Sequence, residues 1–397
     1  MKILHTVEFY YPSIGGTQEV IRHLSERMVK KGHDVYVATT KLPERKSLEH
    51  NGVKIVEFDV SGNEVRGYKG KDIEKYKKFL QQEDFDIILN YASQQWTTDL
   101  FSRVIDKVKA KKVLVPCGFS ALYEPTYKKF FEDLPAVLRK YDKLVFLSND
   151  YRDINFAREH GLDNYTVIPN AACENEFCDL ATESEKNHIK ARFGLGGLVI
   201  TTIGNHTNEK GHAELMRCFK ALPISPATLV IAGTIKPHDG CYDMCEMGAN
   251  SCNNKRRFIG KRIVLVDGSD RDSVTQILKA SDIFAFFSNI ECSPLVIFES
   301  AAAGVPFISS GAGNNSEIVD WTKGGIIVKS KSRYRGRTHI DKKDALKKLT
   351  LLAINKKLRL RLGAAGHQSW KNNFTWEKIT NDYLELYKNL LKESSKK

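Results

Sequence analysis

The stretch Glu291-Cys-Ser-Pro-Leu-Val-Ile-Phe-Glu299 sets two carboxylates eight positions apart, one on each side of a helix start. Ser293 suits the N-cap and Pro294 the first helical position, where a missing N–H costs nothing. The small-residue body Ser300-Ala-Ala-Ala-Gly304 follows, and Gly304 suits the C-terminal stop. Glu291 therefore lies in the loop before the helix, and Glu299 more than one turn inside it. The first amides, those of Leu295 and Val296, have no acceptor within a helix and can meet an anion. Carboxylates accept hydrogen bonds from sugar hydroxyls. A nucleotide-sugar, anionic in the middle and hydroxyl-rich at both ends, fits this arrangement.

Outward from this stretch, short apolar runs alternate with amphipathic segments along the whole chain, which predicts α/β architecture with parallel sheets. In the first half, strands are expected at Lys2–Val7, Val35–Thr39, Lys54–Phe58, Ile87–Asn90, Val113–Pro116, Leu144–Ser148 and Val167–Pro169, with a helix at Thr17–Lys31. The pattern restarts after the polar helix Glu183–Phe193. Strands are then expected at Leu198–Ile203, Thr228–Ala232, Arg262–Val266, Asp282–Phe287, Pro306–Ser309 and Gly325–Val328. Helices are placed at Asp272–Ala280, Pro294–Ala303, Lys342–Leu352 and Thr375–Leu391. The segment His238–Arg257 matches no regular element and reads as an insertion.

Two doubly wound domains follow, spanning 1–171 and 172–374, with a C-terminal helical segment at 375–397. Such domains bind ligands outside the carboxyl ends of their strands. The candidate residues fall there. Gly15 and Gly16 follow the first strand of the first half, Lys210 follows the first strand of the second half, and Glu291 follows Asp282–Phe287. A lysine in the loop Gly204-Asn-His-Thr-Asn-Glu-Lys210-Gly211 can reach a phosphate as a point charge. An exposed lysine at a helix start is the plainer reading of that loop taken alone, as a tight turn is of Gly15-Gly16.

Composition bounds the rest. The 397 residues exceed one ordinary domain. With 42% hydrophobic and 27% charged residues the composition is that of a globular protein. No apolar run approaches the ~18 residues that span a bilayer, and the N-terminal run reads as a buried strand instead of a signal peptide, so a cytoplasmic protein is expected. Its cysteines are then expected as reduced thiols. His238, Cys241, Cys245 and Cys252 bring four ligand-type side chains close in sequence, but their spacing matches no standard zinc pattern. The net charge of +13 is spread over basic clusters at 69–78, 103–112, 128–140, 255–262 and 329–348. Together they favour an anionic partner such as an acidic membrane surface. Charge spread over many segments, without a recognition helix or a stacking motif, argues against nucleic acid.

Other chemistries lack their signatures. The chain has no Gly-x-x-x-x-Gly-Lys-Ser/Thr, no Gly-x-Ser-x-Gly and no His-Glu-x-x-His. Gly194-Leu-Gly-Gly197 precedes its strand, the wrong context for a dinucleotide fingerprint. No Asp-x-Asp marks a metal-held diphosphate, so no metal ligand and no cofactor are expected at the donor.

The order of these motifs resembles the retaining GT-B glycosyltransferases of family 4, the glycosyl transferases group 1. Five stretches carry the resemblance: Pro12-Ser-Ile-Gly-Gly-Thr-Gln-Glu19, Val167–Phe177, Gly204–Gly211, Glu291–Glu299 with Ala303-Gly-Val-Pro306, and Gly311–Val319 with Gly324–Val328. The resemblance implies two Rossmann-like domains facing across a cleft, with the C-terminal helix returning to the first. It implies that Glu299 holds the donor's ribose, Glu291 the transferred sugar and Lys210 the diphosphate, with the Gly15-Gly16 backbone facing the donor phosphates. Asn205, Ser293, Leu295 and Val296 complete the expected donor site. The implied activity is retaining transfer of a hexose from a UDP-sugar, favoured over a GDP-sugar, to a lipid-linked or growing glycan, and the basic clusters of the first half point to work at the membrane inner face. An epimerase or phosphorylase on the same fold, or a binding protein without turnover, are the alternatives. Three departures stand out, one being the cysteine-bearing insertion 238–257, which lies near the place the resemblance implies for the nucleotide base and leaves the base open. Asn205 occupies the place of the family's arginine, leaving the charge to Lys210 or to Arg256, Arg257, Lys261 or Arg262. Pro116-Cys-Gly-Phe119 occupies the place of a His-Gly turn, so no catalytic histidine carries over to Cys117.

Overall fold

The computed structural model describes residues 1–235 and 240–394. The chain divides into two compact units, Met1–Asn170 with Trp376–Lys397, and Ala171–Thr375.

In the first unit, β1 (Lys2–Thr6) is followed by α1 (Gly16–Lys30), β2 (Asp34–Thr40), β3 (Glu49–His50), β4 (Val53–Phe58), β5 (Ile87–Tyr91), β6 (Lys111–Val115), β7 (Lys143–Phe146) and β8 (Tyr165–Val167). The sheet order is β8-β7-β6-β5-β1-β2-β4-β3. Only β3 runs antiparallel to its neighbour. Every residue of β5 is buried, as in a strand covered on both faces. The C-terminal helix Trp376–Ser394 belongs to this unit. Trp376 stacks on His23 at 5.1 Å between ring centroids, and Tyr387 Oη lies 3.4 Å from His5 Nε2. Burial pushes His5 down to about 3, so its ring is neutral in this contact.

In the second unit, β9 (Leu198–Ile203), α2 (His212–Ala221), β10 (Ala227–Gly233), α3 (Gly240–Asn253), β11 (Lys261–Asp267), α4 (Arg271–Ala280), β12 (Ile283–Phe286), α5 (Leu295–Ala302), β13 (Phe307–Ser309), α6 (Asn315–Thr322) and β14 (Gly325–Ile327) alternate. The order β11-β10-β9-β12-β13-β14 is wholly parallel. Strand order therefore reverses between β9 and β12, and the loops that leave their carboxyl ends flank the crevice where doubly wound sheets take ligands. All seven residues of β10 are buried.

The structure corrects three expectations. Helix α5 starts at Leu295, and Pro294 is its N-cap with ψ 123°, without a side-chain cap. Proline's fixed φ serves an extended residue as well as a helical one, so Ser293 loses the capping role. The segment read as an irregular insertion contains α3, whose buried face is Cys241, Tyr242, Cys245, Ala249 and Cys252. Cysteine can fill the apolar positions of a helix, and the period shows only when the thiols are counted as such. A helix at Lys356–Asn373, capped by Asn355 accepting the Leu358 N–H at 2.9 Å, was not anticipated.

Candidate functional site

The loop after β9 is pinned to the chain leaving β12. Gly211 has φ +70°, and a Cβ there would lie 2.0 Å from the Phe287 carbonyl oxygen. Only glycine permits both the left-handed backbone and this approach. The Asn289 N–H donates to the Glu209 carbonyl at 2.6 Å, and the Ser288 hydroxyl donates to the same oxygen at 3.0 Å. Lys210 is thereby carried to Glu291, with Nζ 2.7 Å from Oε1. Its ammonium also lies 5.7 Å from the Phe286 ring centroid.

Glu291 is braced from its other side. Gly313, at φ +59°, leaves room where a Cβ would meet the Cys292 carbonyl oxygen at 2.5 Å. The Asn314 N–H donates to that oxygen at 2.9 Å. The Glu291 side chain is 10% exposed and that of Lys210 is 27% exposed, so the pair is open to an incoming group chiefly from the lysine. His212, one residue beyond Gly211, is pushed down to about 3 by burial and then by His206 and Lys210, and adds no charge.

Glu299 is buried on α5. Its Oε1 accepts from Arg271 at 2.7 Å, while its Oε2 is buried without a hydrogen-bond partner. An unsatisfied buried carboxylate oxygen is costly and marks a place for a donor such as a sugar hydroxyl. Arg271 opens α4, capped by Asp270 accepting from the Ser273 N–H at 3.2 Å. Its guanidinium also donates to Glu176 at 3.0 and 2.5 Å. Burial opposes its charge, yet Glu299 and Glu176 hold the guanidinium above its ordinary range.

Sequence reasoning missed Arg271 and Glu176. The signal was present, because Asp270-Arg271 follows the carboxyl end of a strand and starts a helix, as Lys210 nearly does. Leu295 and Val296 open α5 as expected of anion-facing amides, with Ile297 N–H already bonded back to Pro294 O at 3.3 Å. The Asn205 side chain accepts from the Thr234 hydroxyl at 2.9 Å and carries no charge.

The suggested substitutes for an arginine at that position are placed elsewhere. Lys261 donates to the carbonyls of Phe219, Lys220 and Leu222, closing the end of α2. Arg262 donates to the Gly194 carbonyl at 3.0 Å. Both begin β11, and Arg256 precedes it, so all three lie at the amino end of the sheet, opposite the candidate site. The side chain of Arg257 lies outside the described residues, as does His238.

In the first unit, Gly15 is the extended N-cap of α1 and Gly16 its first residue. The loops after β5 and β6 hold Ala92, Gln94, Cys117 and Phe119 at positive φ. Such strain in non-glycine residues persists only where surroundings enforce it, often at functional sites. One enforcer is Asp153, which accepts the Gly118 and Ile154 N–H groups at 2.8 and 3.0 Å. Burial pushes its carboxyl up to about 6 against those bonds.

The structure thus joins Lys210 to Glu291, places Glu299 on the helix that leaves the same loop, and leaves Gly15 and Gly16 in the other unit. Comparison with known proteins places the chain in a family. The sequence model for Glycosyl transferases group 1 matches residues 183–369, and that for Glycosyltransferase Family 4 matches residues 14–172. Among similar curated proteins is N-acetyl-alpha-D-glucosaminyl L-malate synthase of Bacillus anthracis, 22% identical over 96% of each chain. Another is the phosphatidylinositol N-acetylglucosaminyltransferase GPI3 subunit of Saccharomyces cerevisiae, 22% identical over 98% of this chain and 83% of that protein. Among solved structures, Anabaena HepE in complex with UDP-glucose superposes with a TM-score of 0.74 at 14% identity, covering 98% of this chain and 100% of that one. The chain belongs to the family 4, group 1 glycosyltransferases and has their two-domain GT-B fold.

Proposed function

We propose that the protein is a retaining glycosyltransferase that moves a hexose from a UDP-sugar to a hydroxyl of a lipid-linked or growing glycan. The observation that carries this reading is the Lys210–Glu291 pair at the strand reversal, with the unpartnered Glu299 Oε2 on the adjoining helix. Glu299 takes ribose hydroxyls, Lys210 and the first amides of α5 take the diphosphate, and Glu291 takes the transferred sugar. The departing phosphate accepts the acceptor's proton on the face it leaves, so the anomeric configuration is kept. Catalysis then rests on orientation and on stabilising the leaving diphosphate, without a metal at the phosphates. The UDP-glucose bound in HepE supports the uridine donor. The phosphatidylinositol acceptor named for the yeast relative, with the basic clusters at 69–78, 103–112 and 128–140, supports a lipid acceptor at an acidic surface. No helix among the described residues is long and apolar enough to cross a membrane.

The test is calorimetric titration of UDP- and GDP-sugars, without added metal, against wild type and Glu299→Ala. Binding of a UDP-sugar that is lost in Glu299→Ala is expected, and equal binding by the variant would remove the site assignment. Nuclear magnetic resonance of the product reads the anomeric configuration, and an inverted product would overturn retention. Flotation with liposomes that shows no preference for acidic lipid would remove the membrane element alone.

A further inference from the structure

A second cluster of reactive side chains lies in the second unit, outside the donor residues. His206, His212, Cys241 and Cys245 are all buried, and their candidate ligand atoms lie within 4.8 Å of one another. His206 comes from the loop after β9, and His212 is the first residue of α2. Cys241 and Cys245 stand four positions apart on α3, a spacing that puts both thiols on one face. His212 Nδ1 is 3.8 Å from Cys245 Sγ, and its Nε2 is buried without a hydrogen-bond partner. The two imidazoles meet edge to face at 5.2 Å, and Tyr242 covers His206 at 5.1 Å.

We propose that His206, His212, Cys241 and Cys245 bind one Zn²⁺ as a closed structural site. Two imidazole nitrogens and two thiolates are a donor set that zinc takes tetrahedrally. Zinc bond lengths put such donors about 3.3–3.8 Å apart, so the cluster needs only small side-chain adjustments to close on the ion. Binding releases two thiol protons to solvent, and the two thiolates offset the ion's charge. With four protein ligands no position remains for water or substrate, so the ion is structural and not catalytic. Its effect is to clamp α3 to the loop that ends in Lys210. The grouping also replaces the quartet suggested by sequence proximity. Cys252 lies on the same buried face of α3 but outside this cluster, and two histidines from a different segment join Cys241 and Cys245. The proposal is independent of the donor reading, because its readouts are metal content and spectrum instead of transfer.

The experiment uses the full chain purified without a polyhistidine tag. Elemental analysis should give one zinc per chain, retained in Cys218→Ser and Cys252→Ser and lost in Cys241→Ser and Cys245→Ser. Replacement by Co²⁺ should give thiolate-to-cobalt charge transfer with tetrahedral visible bands. Should the cysteine variants fail to fold, wild type still decides. Cys241 and Cys245 should alkylate only after a chelator is added, whereas exposed Cys178 alkylates at once. A wild-type chain that holds no zinc and gives no thiolate–cobalt spectrum would overturn the site. So would alkylation indifferent to chelator, or a Cys241–Cys245 disulfide in protein prepared under reducing conditions.

Discussion

Lys210 Nζ lies 2.7 Å from Glu291 Oε1, a charge pair between the two loops that leave neighbouring strands β9 and β12. The pair presets both groups. On the proposed donor reading, an arriving diphosphate would draw the lysine and free the carboxylate for a sugar hydroxyl. Lys210→Ala should lower kcat about 10²- to 10³-fold, the usual loss when a donor to developing oxyanion charge is removed. It should also destabilise the fold by about 1–3 kcal/mol, because a largely buried carboxylate loses its cation. Lys210→Met with Glu291→Gln should recover most of that stability but none of the activity. Urea melts and initial rates on the three proteins check this, and recovered activity in the double variant would contradict the assigned roles.

The docking of that pair depends on one glycine. Gly211→Ala forces a Cβ into a left-handed residue and to within 2.0 Å of the Phe287 carbonyl oxygen. The conformation alone costs about 1–2 kcal/mol, and the clash must shift the loop that carries Lys210. A melting midpoint lower by several degrees, with donor affinity reduced in parallel, is expected. Unchanged thermal unfolding would show that the loop has another stable course.

Much of this was legible in the sequence, and the exceptions have physical reasons. The alternation of buried strands and amphipathic helices gave the doubly wound second unit, because strands such as Thr228–Ala232 are buried on both faces and read as continuous apolar runs. Lys210 and Glu291 were singled out because each follows a strand, and Glu299 because it lies on the helix that leaves the same loop. The helix-start position of Arg271 was legible, but its pairing with Glu176 and Glu299, 95 and 28 positions away, leaves no local pattern. Helix α3 escaped because its buried stripe is made mostly of cysteine, a residue whose possible ligand role competed with its apolar one.

Arg271 is the counter-charge to two carboxylates, so its loss should be felt twice. Arg271→Met leaves Glu299, which is 7% exposed, without its cation. The Arg271 side chain is 42% exposed, so solvent screens part of the loss, and a cost of about 1–3 kcal/mol is expected. Glu299 would also lose its fixed orientation, so donor affinity should fall about tenfold or more. Glu176→Gln removes the more exposed carboxylate and leaves the Arg271–Glu299 bond, so its effect on donor affinity should be smaller. Titration of both variants with a UDP-sugar checks the ranking, and the reverse order would place the ribose nearer Glu176.

Asp99 gives the first unit a titration that can be read in isolation. It is buried beside a cavity of about 220 Å³ lined also by Arg103, Leu114 and Tyr141, and it accepts the Glu64 N–H at 3.0 Å. Burial outweighs that bond and the pull of Arg103, and pushes its carboxyl from 3.8 up to about 7. Between those values the folded state holds a proton that the unfolded chain has released. Stability therefore falls as pH rises from about 4 to about 7 and is flat above. At 1.36 kcal/mol per unit the total is on the order of 4 kcal/mol. Asp153 slopes the same way and His5 the opposite way, but both are common to wild type and to Asp99→Asn, so they cancel in the difference. Asparagine keeps an acceptor for the Glu64 amide and cannot ionise. The variant should match wild type near pH 4 and exceed it by a few kcal/mol at pH 8. Urea melts across that range check it, and two curves that stay parallel would show that Asp99 ionises in the folded protein as readily as in the unfolded chain.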